Sequence, residues 1–552
     1  MMHRLDVVAA LATFVVACNS DSAQGDTSGT DASTGGPTAT SATDAAGSAD
    51  TSTVAAEVST AVGETSTTAD PIVATLSEVD CHGRDAVEIA AEAGLDLGGV
   101  EIVINGVPDY TIPEGSLSTG LFTVREATVD QPGLDANIGC NDDEVALVRD
   151  GVVLDELTFP GFPGSFKGTT WCSGVSANPF DLCAPTLDAP NEPYVDPGGV
   201  LFDRLAPIEI DLTIDQAGLD ALDVEPREYV AGTFSVTKDG TTTAPIMVGI
   251  ALKGSPIGSF TDLSGKAAFK IKFDFVDAQT RFLGLEGLKL NNMREDASQL
   301  HEAVGYAIFE AAGVPAPRSG FSEVRLNGDS YGLHATIERV DDTLLSRFYL
   351  TTAHLYEGTF GLDVNPGREG EFSIDEGDPL DTADLTALMA VTVVSDGEYL
   401  AALEQRVHLD EALRMWATTM WIGHWDGYAP GKNNYALQSD DAGVFDFVPS
   451  GLDQTSEYLI DLRYGVSPIQ DRGVLFDRCI DDAECFARYD LALDEVGAAI
   501  EAFDVQAEID AIAEAIEPLV QADPRRGTSI GQVHGAQDAT RNFWDQRAGL
   551  FP

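Results

Sequence analysis

The rhythm of apolar and polar positions changes three times along the chain. Residues 19–70 have no rhythm: Ser, Thr, Ala, Gly and Asp dominate, with no Lys, Arg or aromatic residue. Such a stretch cannot bury a core, so a flexible tether is expected. From about 75 to 192 short β-rich runs follow one another at 85–90, 100–104, 121–124, 144–149 and 152–157. Asn105-Gly106 and Asp150-Gly151 between them are hairpin signals. Several short strands at regular spacing predict a small β-sandwich or barrel.

From about 198 the pattern mixes periods. Runs at 208–215, 229–237, 246–252, 267–275 and 288–292 read as strands. Leu300, Val304, Ala307 and Ile308 recur at helical spacing, predicting a helix over 297–312 capped by Asp296 or Ser298. Residues 321–326 and 331–337 flank Asn327-Gly328 as a hairpin. Helices are expected at 379–396, 409–424, 489–503, 505–520 and 536–550. The order is α+β, and no segment beyond the N-terminus is long and apolar enough to span a bilayer.

The stretch 421–458 carries the candidate chemistry. Asp426 follows the apolar helix and sits on the Gly/Pro-rich run GYAPGK, expected to be loop; Asn433-Asn434 come next. A hairpin over 435–438 and 444–448 then leads to Asp453. Its return brings Asp426, Asn434 and Asp453 together. Two carboxylates and an amide oxygen suit a hard cation such as Mg²⁺. An Asp that handles a hydroxyl proton, with Asn and Asp on the metal, is the logic of phosphoryl transfer. The same residues also fit a polar loop capped by Asp. Upstream, Lys253-Gly254-Ser255 opens a Gly/Ser-rich turn to Gly265, and Lys266, Lys270 and Lys272 follow on the next strand. Backbone N–H groups of such a turn can cradle phosphates; a plain hairpin with surface lysines fits as well.

Composition narrows the partners. The 552 residues carry a formal charge of −60, which argues against nucleic acid and against an anionic membrane surface as partners. Residues 1–18, MMHRLDVVAALATFVVAC, resemble a bacterial lipoprotein signal with Cys18 as the lipidated residue. That implies an exported cell-envelope protein touching the membrane through a lipid anchor only. Cys81, Cys140, Cys172, Cys183, Cys479 and Cys485 remain, an even number that suggests structural disulfides. Short loops favour Cys172–Cys183 and Cys479–Cys485, leaving Cys81–Cys140.

Two resemblances sharpen the reading. DAVEIAAEAGLDLGG, YTIPEGSLSTGLFTV, DEVALVRDGVVLDEL and APTLDAPN resemble the lamin-tail domain, an immunoglobulin-like sandwich used for attachment. GIALKGS, KAAFKIKFD, LGLEGLKLNNMREDAS, GVPAPRSGFSEVRLNGDSYGLHATIERVD, HLYEG, WIGHWDGYAPGKNNYAL and FVPSGLDQT resemble, in order, the CotH kinase-like family. This implies an atypical protein-kinase-like fold over 198–552. It also implies ATP with Mg²⁺ or Mn²⁺ as cofactors, and transfer of phosphate to Ser/Thr of a protein substrate at the cell surface or in the envelope. Asp426 is then the catalytic Asp, and Asn434 and Asp453 the metal ligands. The phosphate-contacting lysine is Lys270 or Lys272, with Lys253 and Lys266 as alternatives, paired with Glu302 or Glu338. Where the family reads Pro-Trp-Asp-Leu-Asp, this chain has Pro449-Ser450-Gly451-Leu452-Asp453. The missing first Asp also allows a non-catalytic surface protein.

Overall fold

The computed structural model describes residues 73–81, 85–129, 131–135, 138, 143–159, 169–175, 180–254, 258–349, 351–465 and 471–550. The signal with Cys18, the tether and Cys140 lie outside the described residues.

Among the described residues ten short strands come first: β1 (Ala74–Asp80), β2 (Ala86–Ala91), β3 (Glu101–Ile104), β4 (Val107–Thr111), β5 (Leu121–Arg125), β6 (Glu144–Arg149), β7 (Val152–Thr158), β8 (Thr170–Ser173), β9 (Phe180–Ala184) and β10 (Glu192–Pro193). They form two sheets, ordered β10-β9-β8-β1-β2-β5 and β4-β3-β6-β7. Leu76, Val87 and Ile89 of one sheet and Ile102, Val145 and Leu147 of the other share a single core. Their alternation with polar neighbours is what a half-buried strand requires. Cys172–Cys183 joins β8 to β9, and Cys81 is also disulfide-bonded.

The next unit is a closed sheet. Its strands are β11 (Ile208–Thr213), β12 (Val230–Lys238), β13 (Thr241–Thr242), β14 (Ile246–Lys253), β15 (Ala268–Lys272), β16 (Gly287–Asn291), β17 (Ser319–Leu326) and β18 (Asp329–Glu338). The order is β11-β17-β18-β16-β15-β14-β12-β13, and β11 also pairs with β12. Seven strands thus close into a ring, with β11 parallel to β17 and antiparallel to β12. Ile210, Leu212, Phe234, Ile250, Phe269, Ile271, Leu288 and Leu290 fill it. Directly opposed residues share a face. The pairs Ala251↔Lys270, Lys253↔Ala268, Lys270↔Lys289 and Asn291↔Ala335 therefore put Lys253, Lys270, Lys289 and Asn291 on the outer face.

That outer face is covered by the helical half. Between β11 and β12 lies α1 (Gln216–Val224); between β16 and β17 lies α2 (His301–Ala311). After β18 come α3 (Asp342–Leu345), β19 (His354–Glu357), β20 (Ser373–Glu376), α4 (Ala383–Val391), α5 (Tyr399–Glu404), α6 (Leu409–Trp421), α7 (Tyr428–Gly431), β21 (Tyr435–Ser439) and β22 (Phe445–Pro449). The chain closes with α8 (Val474–Asp481), α9 (Ala483–Phe503), α10 (Val505–Ala522) and α11 (Ile530–Ala548). One large core joins Val304 and Ile308 of α2, Leu333, Ala335 and Ile337 of β18, and Trp416 and Met420 of α6. Tyr489 of α9 and Ile509 of α10 belong to it too. The Cys479–Cys485 disulfide ties α8 to α9. No described helix is long and apolar enough to cross a membrane.

Two local expectations are corrected. The helix expected from residue 297 starts at His301, because Asp296 folds back on the chain. Its carboxylate accepts the Ser298 N–H and hydroxyl and the His301 N–H, which holds a turn ahead of the helix. GYAPGK, expected to be loop, contains the one-turn helix α7, stopped by Lys432 in the left-handed region at φ 53°. Strands β19 and β20 and helices α1 and α8 are absent from the sequence reading. They are short, and β19 is defined by pairing with β21 some eighty residues later.

A buried ion pair joins the two halves. The Lys266 ammonium, ahead of β15, lies 2.7 Å from Asp523 after α10; their side chains are 9% and 0% exposed. Asp523 also accepts the Leu333 and Arg525 N–H groups. Asp523→Ala should cost about 3–5 kcal/mol by stranding the ammonium. Lys266→Met with Asp523→Leu should recover most of that loss. Urea unfolding of the three proteins checks this; equal losses in single and double variants would contradict it.

Candidate active site

The site lies where the open end of the β21–β22 hairpin meets α2 and the outer face of the closed sheet. Asp426 follows α6 through a tight passage: Gly423 has φ +66°, and a Cβ there would stand 2.6 Å from the Tyr458 carbonyl oxygen. Only glycine passes at that distance. The Asp426 Oδ2 atom accepts from Asn433 Nδ2 at 2.9 Å and from Asn434 Nδ2 at 3.0 Å. Its Oδ1 is buried without a hydrogen-bond partner. Burial, reinforced by Asp453 and Glu295, raises the Asp426 pKa to about 6 despite the two amides.

The hairpin sets the opposite wall. Asn434 has φ 49°, and its carbonyl accepts the Ser450 N–H at 3.1 Å, closing the hairpin's open end. Gly451 follows in the left-handed region at φ 59°, and Leu452–Gln454 form a single 3-10 turn carrying Asp453. Leu452 fits against Gly305 of α2, where a Cβ would meet its Cδ1 at 3.0 Å. The His301 ring clamps this turn, with Nδ1 3.1 Å from the Asp453 carbonyl oxygen and Nε2 3.0 Å from Thr540 Oγ1.

Glu302, the next residue of α2, is 4% exposed. Asn291 of β16 donates to its Oε2 at 2.5 Å. Burial raises the Glu302 pKa to about 8, with Lys253 opposing and Asp453 adding to the rise. Asp453 is raised by burial as well, with Lys253 again the leading charge that lowers it. Lys253 therefore lies near enough to Glu302 and Asp453 to temper both. Glu295 is raised by burial and by Asp453. The cleft holds Asp426, Asp453, Glu302 and Glu295, and every one of them resists ionisation. A cation-hungry set of oxygens, including an orphan oxygen on Asp426, fits a bound divalent metal better than it fits bare protein.

The structure sorts the sequence candidates. It brings together Asp426, Asn434, Asp453, Glu302 and Lys253. Lys270 stands on the same face, opposite Lys289. Lys266 does not belong to the site, since Asp523 holds it. Lys272 is turned to Asp274 at 3.8 Å. Glu338 is not the lysine's partner: it accepts from Arg318 at 2.7 Å and Arg347 at 2.8 Å. Burial pushes its carboxyl up, but the two guanidinium groups outweigh it and leave the pKa lowered. Glu338 lies opposite Leu288, on the other face of the sheet from Asn291. The Gly/Ser turn is partly self-satisfied, because Asp262 takes the Ser264 and Gly265 N–H groups. Ser255 lies outside the described residues.

Sequence reasoning missed Lys289, Asn291 and Glu295, and named Asn433 without giving it a role. The first two were within reach: Leu288 and Leu290 point inward, so Lys289 and Asn291 must point outward. Lys289 is half-buried, and burial lowers its pKa, with Glu357 opposing and Lys253 and Lys270 adding to the fall. Lys253, Lys270 and Lys289 make a small basic face in an acidic molecule.

The site thus gathers a closed sheet bearing Lys253, a helix bearing Glu302, and a hairpin with an Asp on either side. The family described as CotH kinase protein matches residues 255–550, and the chain belongs to that family. It is similar to the inner spore coat protein H of Bacillus subtilis (strain 168), 24% identical over 320 residues, covering 54% of this chain and 85% of that protein. Among solved structures, the Helicobacter pylori proinflammatory kinase CtkA overlaps 57% of this chain and 90% of its own, at 8% identity and a TM-score of 0.21. That overlap is too slight to argue from.

Glu302 makes stability depend on pH. Its folded pKa, about 8, lies above the ordinary 4.5. Its stabilising contribution is complete below the ordinary value and is lost as pH rises towards about 8. Urea melts of metal-free protein between about pH 5 and 8 should show falling stability, with a shallower fall in Glu302→Gln. Parallel curves for the two proteins would rule out Glu302 as a source.

Proposed function

We propose that the protein is an exported atypical Ser/Thr kinase that transfers the ATP γ-phosphate to hydroxyl groups of a protein at the cell surface or in the envelope. The observation that carries this reading is the Asp426 carboxylate, held through one oxygen by Asn433 and Asn434 while the other is buried and unpartnered. Asp426 orients the acceptor hydroxyl and takes its proton. A pKa of about 6 leaves it ionised at neutral pH yet basic enough to accept. Asn434 and Asp453 would hold the metal. Lys253, positioned by Glu302, neutralises phosphate charge, with Lys270 and Lys289 behind it. Mg²⁺ or Mn²⁺ bound there would stabilise the charge that develops on the phosphoryl group.

Paired cysteines suit an oxidising, extracytoplasmic location, as does similarity to a spore coat protein. We assign the two-sheet unit to attachment as a lamin-tail-like sandwich, and Cys18 to lipid anchoring. One observation favours a catalytically silent relative. Gly451 replaces the family's first Asp, and a Cβ there would stand 2.6 Å from Asn434 Oδ1. Restoring the Asp would displace Asn434, so this backbone is adapted to its loss.

The test is labelled ATP with Mg²⁺ or Mn²⁺ and the full chain. Label transfer should appear, with kcat/KM falling below about pH 6 as Asp426 is protonated. Asp426→Asn should lower the rate about 10²–10⁴-fold. Lys253→Met and Asp453→Ala should abolish the thermal stabilisation given by ATP with metal. Neither transfer nor stabilisation would sink the kinase reading and favour the silent alternative, whereas stabilisation that needs Asp453 would count against that alternative.

A further inference from the structure

A second cluster of ligating side chains lies at the far end of the elements that carry Asp426 and Asp453. His408 precedes α6, Glu411 sits one turn into it, and Asp446 lies on β22. One ligand atom from each comes within 4.8 Å of the other two. The backbone holds them in place: Phe445 accepts the His408 N–H at 3.1 Å and donates to Arg406 at 2.9 Å. Asp446 is 2% exposed, and both of its oxygens lie 3.0 Å from His408 Nδ1. Spacing of i and i+3 puts His408 and Glu411 on one side of the helix start.

Two neighbours point to a ligand rather than a closed ion pair. Gln438, 1% exposed and cross-strand from Asp446, donates to it at 3.2 Å, while its own Oε1 is buried without a partner. The Tyr349 hydroxyl is also buried without a partner. It lies near Asp446 and Glu411, whose charges hold its pKa up after burial itself. An acceptor and a hydroxyl left open beside three ligating groups are costly unless something satisfies them.

We propose that His408, Glu411 and Asp446 bind a divalent cation of the zinc class as a structural clip. An imidazole nitrogen with two carboxylate oxygens suits Zn²⁺, which leaves a fourth position for water at the half-exposed side. Ca²⁺ and Mg²⁺ favour oxygen-only sets. The clip fastens the start of α6 to β22. The far end of α6 leads to Asp426 and that of β22 to Asp453, so the ion would brace both walls of the cleft without entering it.

The test uses the full chain without a histidine tag, stripped with chelator, loaded with Zn²⁺ and desalted. Metal content should be one zinc per chain, with a thermal midpoint several degrees higher. His408→Gln and Glu411→Gln should each weaken zinc binding at least about tenfold, the least that loss of an outer-shell partner costs. Both should remain folded by circular dichroism, since both side chains are partly exposed. Asp426→Asn should keep the zinc, which separates this site from the cleft. No retained zinc in the wild type, or equal retention in His408→Gln and Glu411→Gln, would overturn the proposal and leave a His408–Asp446 ion pair beside a protonated Glu411.

Discussion

The arrangement depends on a shortage of positive charge in one cleft. Glu302, Asp453, Asp426 and Glu295 meet there, and Lys253 is the cation that tempers two of them. Burying carboxylates is tolerable only if they stay protonated, find partners or bind metal. The fold spends several devices on keeping them together. Asn291 and His301 fix the α2 side, Asn433 and Asn434 fix Asp426, Gly423 passes the Tyr458 carbonyl where no Cβ fits, and Gly305 and Gly451 leave room for Leu452 and Asn434.

The acidic surface gives those few cations their meaning. With −60 formal charge, a phosphate-bearing ligand meets repulsion almost everywhere. The outer face bearing Lys253, Lys270 and Lys289 is a local exception. It is built by strand alternation, which places alternate lysines on one side at no cost to the apolar interior. Lys266 and Lys272, in the same short run, are held by Asp523 and Asp274 instead.

Local pattern made much of this legible. The strand pairs, the hairpin at Asn327-Gly328 and the return of the chain from Asp426 past Asn434 to Asp453 follow from alternation and turn chemistry. What stayed hidden depends on contacts between distant residues. Nothing near Lys266 announces Asp523, 257 positions away, so four lysines looked equivalent. Glu302 and Glu338 looked alike until the sheet register put Glu338 on the other face, against Arg318 and Arg347. The start of α2 was misplaced because Asp296 bonds locally, an option side-chain carboxylates keep open at every helix entrance.

The closed ring has a bearing on synthesis. Its first strand, β11, needs β17 as a parallel partner, with Ile208 opposite Ser322. No stretch of chain ending before β17 can seal the ring, and until then the β11 edge stays open. Contacts of such long sequence separation form slowly and expose strand edges meanwhile. A chain leaving the ribosome amino end first would therefore carry an unfinished ring for more than a hundred residues. Timing of emergence, as much as final stability, would then govern how much of this protein reaches its folded state.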